Sequence, residues 1–425
     1  MLRHVARLLV LSAVLPALSP AARAGVLVVD GPAGSGYPNV QAAVDAATNG
    51  DVILVRQGGG GLFTIAGKSL TVIADRGADA ACTTELAQGN PMGGSLNNVV
   101  RDIGPGGVVV LRGLLLGGLE ISNVQGTVWV EDCTVKLISP AMRATSCARL
   151  VVTHSTVTGP DGFIDSGGYF WASVGGALEL VATNAAVSDS ILTGGTGKSF
   201  GFTQAGPSGN ESGGDALRIS GGSVALQGCT LTGGDGGAGG VVTGGICASG
   251  GAGGAGLRVL GGAQVARLDS SATGGLGAPG PTSGCFVGGG DGPDGQPVEL
   301  VSGGVLEQPG SAAALRIDSP VREGEAVHLA IDGAAGAFAT VLLSGAPGLQ
   351  PVGKVVGPVQ VGLPPLLVSL GPIPAGGELV VNARLPNLPA SLLSVELFLQ
   401  AVLAGTPPAQ QASSPSVLVG LDVSL

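Results

Sequence analysis

The sequence predicts an all-β chain: a parallel β-helix solenoid with a short N-terminal capping helix, followed by a β-sandwich domain. Three observations lead there. The first is a stretch written four times, Ala177-Leu178-Glu179-Leu180, Ala216-Leu217-Arg218-Ile219, Gly256-Leu257-Arg258-Val259 and Pro297-Val298-Glu299-Leu300, with steps of 39, 40 and 41 residues between copies. Self-similarity at a fixed period marks a stacked-repeat architecture. The second is composition. The 425 residues include 79 Gly and are 44% hydrophobic, too apolar for a solvated coil and suited to many short strands parted by glycine turns. The third is the end of the period near Pro309, beyond which glycine thins and prolines multiply.

Taken in order, residues 1–24 read as a secretory signal peptide. Arg3, His4 and Arg7 give a basic start, Leu8 to Leu18 an apolar stretch too short for a bilayer, and Ala22-Arg23-Ala24 a small-residue cleavage site. The expected address is secreted, extracellular or cell-surface, with no membrane span in the mature chain. Residues 25–425 carry 16 basic against 29 acidic residues, a net charge of −13. That balance, with no basic cluster, excludes nucleic acid as a partner.

Val26–Val29 is expected as a strand. Asn39 can cap a short helix in which Val40, Ala43, Val44 and Ala47 share one face. Asn49-Gly50 ends it, and Val52–Val55 is a buried strand. An amphipathic helix at one end of a solenoid covers the open core. This segment, Tyr37-Pro38-Asn39-Val40-Gln41-Ala42-Ala43-Val44-Asp45-Ala46-Ala47 followed by Gly50-Asp51-Val52-Ile53-Leu54-Val55, resembles the N-terminal cap of the pectin-lyase-like right-handed parallel β-helix superfamily. With the coils behind it the resemblance reaches about residue 305. It implies a fold more than a chemistry, because this fold hosts pectate lyases, pectin methylesterases, polygalacturonases and proteins without activity.

Behind the cap, short strands are expected at Leu70–Ile73, Val108–Leu111, Val128–Val130 and Leu150–Val152. From Cys133 the coils share a second signature. Cys133-Thr134-Val135, Ser155-Thr156-Val157, Ser190-Ile191-Leu192, Cys229-Thr230-Leu231 and Ser270-Ser271-Ala272 overlay. Alternation along a strand turns Val135, Val157, Leu192, Leu231 and Ala272 inward, with the Ser or Cys two places earlier in a tight interior corner. The outward position of the main repeat reads Glu179, Arg218, Arg258, Glu299. On adjacent rungs this makes exposed cross-strand pairs, Glu179 with Arg218 and Arg258 with Glu299.

After each Thr the chain enters glycine, over 194–214, 233–256 and 274–295. In 233–256, 13 of 24 residues are Gly, more than regular structure is expected to accept. Leaving the coil at one corner, these segments should stack as a sheaf on one side. Beyond Pro309, strands at Ala314–Ile317, 326–331, 339–343, 366–370, 378–381, 393–399 and 417–423 suggest the sandwich. The expected organisation is a signal peptide over 1–24, a β-helix with glycine-rich loops over 25–308 and a β-sandwich over 309–425.

Of six cysteines, Cys133 and Cys229 fall on the inward ladder and are expected as buried small residues. Cys247 and Cys285, nearly one repeat apart in successive glycine segments, are expected to form a disulfide; Cys82 with Cys147 is a second pairing. No C-x-x-C occurs and the histidines are scattered, so zinc is not expected.

The strongest local anomaly is aromatic. Six of the 12 aromatic residues fall between 163 and 202, and Phe163, Tyr169, Trp171, Phe200 and Phe202 are the candidate ligand-binding residues. Aromatic faces stack on sugar C–H surfaces; the bland alternative is a small satellite core. The candidate catalytic residues are the acids Asp161 and Asp165 and the basic residues Lys198 and Arg218. Resemblance to pectate lyases would imply calcium-binding carboxylates and a base beside a uronate carboxyl, but no lyase or hydrolase motif surrounds them, and acids beside glycines more often serve turns. Asp291 and Asp294 lie in a near match to the calcium nonapeptide, with Gln296 where a large apolar residue belongs. No cofactor is expected, calcium being the one considered.

The function expected is a non-catalytic carbohydrate-binding or adhesion protein of a cell surface or matrix, with polysaccharide or a surface glycan as partner. The alternatives are a polysaccharide lyase or glycoside hydrolase acting on uronate-containing polymers, and a structural spacer. The sequence leaves oligomeric state open.

Overall fold

The computed structural model describes residues 25–425 apart from 32–33, 57–59, 79, 83–96, 137–138, 165–169, 173, 199–210, 243–245, 282–288, 351, 354, 390–391 and 406–409. The first part is a parallel solenoid. A full coil runs Leu178–Val181, Ala185–Ser188, Ile191–Thr193 and then into glycine. Strands of the first two positions stack in a sixteen-stranded sheet, and those of the third in a seven-stranded sheet. The repeat sets the register: Leu178 pairs with Leu217, Leu217 with Leu257 and Leu257 with Val298. Leu178, Leu180, Leu217, Ile219, Leu257 and Val259 fill the interior, as the period predicts.

Two corners turn each coil, and both use left-handed backbone. The first passes through Asn123, Ser146, Ala182 or Gly, and the second through Asp132, His154, Asp189, Asp269 or Gly. Gly, Asn, Asp and His tolerate that region best, which explains most of these identities. Just past the second corner comes the Ser/Cys ladder. Ser155 Oγ donates to the Thr153 carbonyl at 2.8 Å and Ser190 Oγ to the Ser188 carbonyl at 2.7 Å. The same oxygens accept backbone N–H groups from the coil before, Cys133 N at 3.2 Å and Ser155 N at 3.1 Å. The ladder is therefore a hydrogen-bonded seam rather than simple space filling.

Cys133, Cys147 and Cys229 are buried free thiols. The expected Cys82–Cys147 bridge is not formed. Cys147 points into the first-corner interior, where its thiol meets the Thr145 carbonyl at 3.5 Å. Burial pushes its pKa up to about 11, so the thiol is neutral and inert.

The helix Val40–Ala46 caps the N-terminal end, with Asn39 Oδ1 accepting the Ala42 N–H at 2.8 Å. Val40, Ala43, Val44 and Ala47 are buried against the first coils. The other end is closed differently. One inward column reads Leu111, Val130, Val152, Val187, Leu226 and then Arg267 and Glu307. Arg267 meets Glu307 through two contacts of 2.8 and 2.9 Å. The apolar core ends on an ion pair.

The described parts of the glycine segments are regular, contrary to the sequence expectation. Donors recur every third residue. Gly233, Gly236 and Gly239 give their N–H groups to the carbonyls of Thr273, Leu276 and Pro279, each at 2.9 Å. Gly250, Gly253 and Gly256 do the same to Gly290, Pro293 and Gln296. Three residues per turn without internal hydrogen bonds is the geometry of a polyproline-II-type helix. Outward and return legs bond to each other as well, in an unbroken series Gly175, Gly195, Gly214, Gly234, Gly254, Gly275, Gly295. At each of the last six, an added Cβ would fall far closer than 3.0 Å to backbone of a neighbouring leg. Glycine is required by the closeness of the legs, not by flexibility.

Strands from Ala314 onward build two mostly antiparallel sheets and a separate antiparallel pair, Pro347–Gln350 with Val359–Val361. One holds Ala314–Ile317, Ala326–Asp332 and Glu378–Arg384; the other holds Val321–Arg322, Gln410–Leu421, Ser394–Ala404, Phe338–Ser344 and Leu366–Pro372, with Val355–Val356 alongside. They enclose their own core around Leu315, Ile331, Val341 and Leu399. This sandwich packs on the outer face of the solenoid's second strand position. Val110, Trp129 and Val151 meet Phe398, Val417 and Val419 there, and the rings of Trp129 and Phe398 stand edge to face at 5.1 Å.

Candidate functional site

The densest group of ionisable and polar side chains in the described structure lies along that seam. Next to the Trp129 column, the stacked strands present Arg112, Glu131, Thr153, Ser188 and Gln227, all buried. A strand places every second residue outward, so this column faces Ser414, Pro415, Ser416 and Val417 of the sandwich. Glu131 is fully buried. Arg112 meets its Oε1 at 2.7 Å, the Trp129 indole N–H donates to Oε2 at 3.0 Å, the Val417 N–H donates to Oε2 at 2.9 Å, and the Ser416 hydroxyl donates to Oε1. Burial pushes the carboxyl up, to about 7, against the pull of Arg112. Four donors and no acceptor face it, so the pocket is built for the carboxylate. Arg112 also meets Asp132 at 2.9 Å and donates to the Ile317 carbonyl at 2.8 Å.

One coil further, His154 sits between the two domains. Its Nε2 lies 3.1 Å from Ser414 Oγ and 3.7 Å from Asp189, and its Nδ1 lies 3.3 Å from Thr153 Oγ1. Burial lowers the His154 pKa to about 4 and raises that of Asp189 to about 6. Gln227 closes the row by donating to the Ala313 and Ala412 carbonyls.

Beside Arg112 the seam opens into a cleft of about 380 Å³ lined by Asp75, Arg76, Asp132, Asp318 and Ser319 over Ile73 and Ile317. Its charges are spent on one another. Arg322 holds Asp75 at 2.8 Å, Arg56 reaches it at 3.3 Å, and Arg76 bridges to Asp318 and Glu325 at 3.7 Å each. Burial works against the Asp75 carboxylate, but Arg322, the Arg76 N–H and Arg56 outweigh it and hold its pKa below the usual carboxylate value. The arrangement fastens two domains; it does not set a nucleophile against a base.

The sequence-predicted residues are placed elsewhere and are not gathered into one site. Asp161 is exposed, and its Oδ1 accepts the Thr196 N–H at 2.7 Å. Asp235 does the same for the Leu276 N–H at 2.7 Å, and Asp215 for Ala255 at 2.9 Å. Asp291 and Asp294 accept the N–H groups of Gly280 and Gly277, both at 2.8 Å. In lower layers the equivalent donors find the carbonyls of the next coil. Here the sheaf ends, and carboxylates stand in. Lys198 is exposed on its leg, and its backbone N–H is held by Glu211, whose pKa burial raises.

Arg218 is half exposed, 4.0 Å from Glu179, which also meets Arg143 at 3.3 Å; Arg258 meets Glu299 at 3.0 Å. The outward charged positions thus pair along the stack. Phe163 and Trp171 lie on a small antiparallel pair, Phe163–Ile164 with Phe170–Ala172, and their side chains are outside the described residues. So are Asp165, Tyr169, Phe200 and Phe202. Cys247 is half of a disulfide, and Cys285, its expected partner, lies outside the described residues.

Sequence reasoning missed the seam. The signal was present in Val108–Leu111, Val128–Val130 and Leu150–Val152, which are apolar without alternation and so mark strands covered on both faces. Among the described residues no group of three or more His, Cys, Asp or Glu side chains could hold a metal ion. Nor is any helix there long and apolar enough to cross a membrane. No protein-family model matches the chain, and no curated protein matches it at a significant level.

Proposed function

We propose that this chain is a secreted, non-catalytic parallel β-helix protein of the pectin-lyase-like type, binding carbohydrate at a cell surface or matrix. The observation that carries the reading is the antiparallel pair Phe163–Ile164 and Phe170–Ala172, which interrupts the coil between Thr156–Thr158 and Leu178–Val181 and bears Phe163, Phe170 and Trp171. An aromatic-rich excursion on a rigid stack suits sugar stacking better than catalysis. Of the acids around it, Glu211 lies against Gly162 with its carboxyl raised by burial and held by backbone N–H groups, and two others favour the same side. Asp161 is committed to a backbone N–H, and Glu179 to Arg143 and Arg218.

The test uses residues 25–425 on a glycan array, alongside the Tyr169→Ala, Trp171→Ala double variant. Binding by the parent that the double variant loses supports the reading. Binding of no glycan removes it. Depolymerisation of polygalacturonate or alginate, with or without calcium, would replace it with the lyase or hydrolase alternative.

A further inference from the structure

Among the described residues the solenoid stops without a capping element. Its last strands are Val298–Leu300 and Gly303–Gln308, each at the end of its stack in the sixteen-stranded sheet. The chain then turns back down the stack. The Ala312 N–H donates to Asp269 Oδ2 at 2.8 Å, and the Ala313 carbonyl accepts from Gln227 at 3.1 Å. The sandwich therefore lies beside the coils and not across their end. A stacked-repeat architecture with a bare terminal face needs a polar cap to stay apart from other molecules.

This face is only partly capped. One inward column reads Leu180, Ile219, Val259 and Leu300. Val259 is fully buried, whereas Leu300 is 53% exposed, and Val301 and Leu306 near it are 60% and 65% exposed. The Arg267–Glu307 ion pair seals its own column and leaves this one open. The third strand position ends one coil earlier, at Ser271–Thr273, which makes a step above half-buried Ala272. Pro297 and Pro309 lie outside the two last strands, and the register from Gly303 to Gln308 is unbroken.

The backbone points the same way. In a parallel stack, every second residue turns both N–H and C=O to the coil above. Leu150 donates upward to the Asn184 carbonyl at 3.0 Å, and its column continues through Ala185, Val224, Val265 and Val305. Val305, with Gly303 and Glu307 two places to either side, therefore turns its N–H and C=O out of the end.

We infer that this end docks on the same end of a second copy, with the strands Gly303–Gln308 antiparallel across a two-fold axis through Val305. The strand selects its own occupant. That axis sets Val305 opposite the partner's Val305 and Gly303 opposite the partner's Glu307. The residues with outward backbone groups then meet only one another, as an antiparallel ladder requires. Leu306 falls opposite the partner's Gly304, so an exposed leucine lies over a residue with no side chain. Each Glu307 faces a glycine, and the two carboxylates stay apart. The same axis exchanges the first and third strand positions, which brings each Leu300 to the step above the partner's Ala272. A two-fold contact closes without growing into a fibre. One coil's cross-section falls short of the ~1,600 Å² of a standard interface, so the dimer dissociates on dilution. Residues 25–425 carry a net charge of −13, so the copies repel, and salt should strengthen the dimer by screening.

Sedimentation and light scattering of residues 25–425 over a hundredfold concentration range, at low and high salt, test the inference. The expected result is a monomer–dimer equilibrium that tightens with salt. Leu306→Lys should weaken it at least tenfold. Leu367→Lys, at an equally exposed leucine of the sandwich, should leave it unchanged. Both side chains are exposed, so both variants should keep the parent circular dichroism spectrum. Independently of any variant, the Val305 and Glu307 amides of the parent should exchange more slowly at high protein concentration. A parent that stays monomeric or forms larger species, a dimer that salt weakens, or equal responses to Leu306→Lys and Leu367→Lys would each overturn the inference. So would amide exchange at Val305 and Glu307 that ignores concentration.

Discussion

Replacing Gly254 with alanine should destabilise the glycine sheaf sharply. The new Cβ would fall against the carbonyl of Gly214, far closer than the 3.0 Å that real Cβ atoms keep, and the obstacle is backbone. The two legs must part. Gly254 donates to Gly234 at 2.8 Å and accepts from Gly275 at 2.9 Å, and both bonds lie on the series that ties the layers together. Losing two hydrogen bonds costs roughly 2 kcal/mol, and overpacking a tight site adds about 1–3 kcal/mol. A loss of about 3–5 kcal/mol is expected. Gly290 supplies the control. It lies in the same sheaf and has no left-handed backbone, and a Cβ added there would meet nothing within 4 Å. Gly290→Ala should stay within about 0.5 kcal/mol of the parent. Denaturant unfolding gives the stability difference, and hydrogen exchange at Gly234, Gly254 and Gly275 localises it. If Gly254→Ala and Gly290→Ala behave alike, the legs are not packed as argued.

Glu131→Gln leaves the Arg112 guanidinium buried with Asp132 as its remaining acid, and should cost about 3 kcal/mol, read as an earlier separate unfolding of the sandwich by calorimetry. His154 and Asp189 should show opposite pH signatures. The His154 pKa is lowered to about 4 in the fold, so its contribution is complete above pH 6.5 and is lost as pH falls to 4; His154→Asn, which tolerates the left-handed corner, should gain on the order of 3 kcal/mol relative to the parent over that window. The Asp189 pKa is raised to about 6, so the parent loses stability as pH rises from 3.8 to 6, and Asp189→Asn should gain relative to it in that direction. Denaturation series at several pH values check both signs. Arg267→Leu with Glu307→Val should extend the apolar column to the solenoid end and produce concentration-dependent self-association beyond that of the parent in sedimentation.

Much of the fold could be read from the chain because a coil repeats its inside and outside residue by residue. Leu178, Leu217, Leu257 and Val298 fix the register, and Asn39 with Val40, Ala43 and Val44 identify the cap. The seam was hidden for a different reason. Arg112, Glu131 and Thr153 become neighbours only after coils of unequal length are stacked, before the regular period starts at residue 177. Their partners, Ser414 to Val417, lie hundreds of residues away in another domain. Glycine content weighed without its period misreads the sheaf. Gly233, Gly236, Gly239 and Gly250, Gly253, Gly256 already carry the three-residue spacing of the bonded legs. Asp161 was legible as turn-like but not as a cap on an N–H of another leg.

The way the stack stops explains why acids gather where they do. Below the last coil, upward donors such as Gly236 and Gly253 find carbonyls, and the inward column carries Val187 and Leu226. In the last coil there is no layer to receive either. A bare glycine leg would present unpaired N–H groups, and a bare apolar column would present open core, each inviting another molecule. Asp291 and Asp294 answer the first need, and Arg267 with Glu307 the second. Neither pair resembles a ligand site once its partners are named, because each group is matched to the defect it closes. Charge marks the sheaf's free faces and the solenoid's end for the same physical reason.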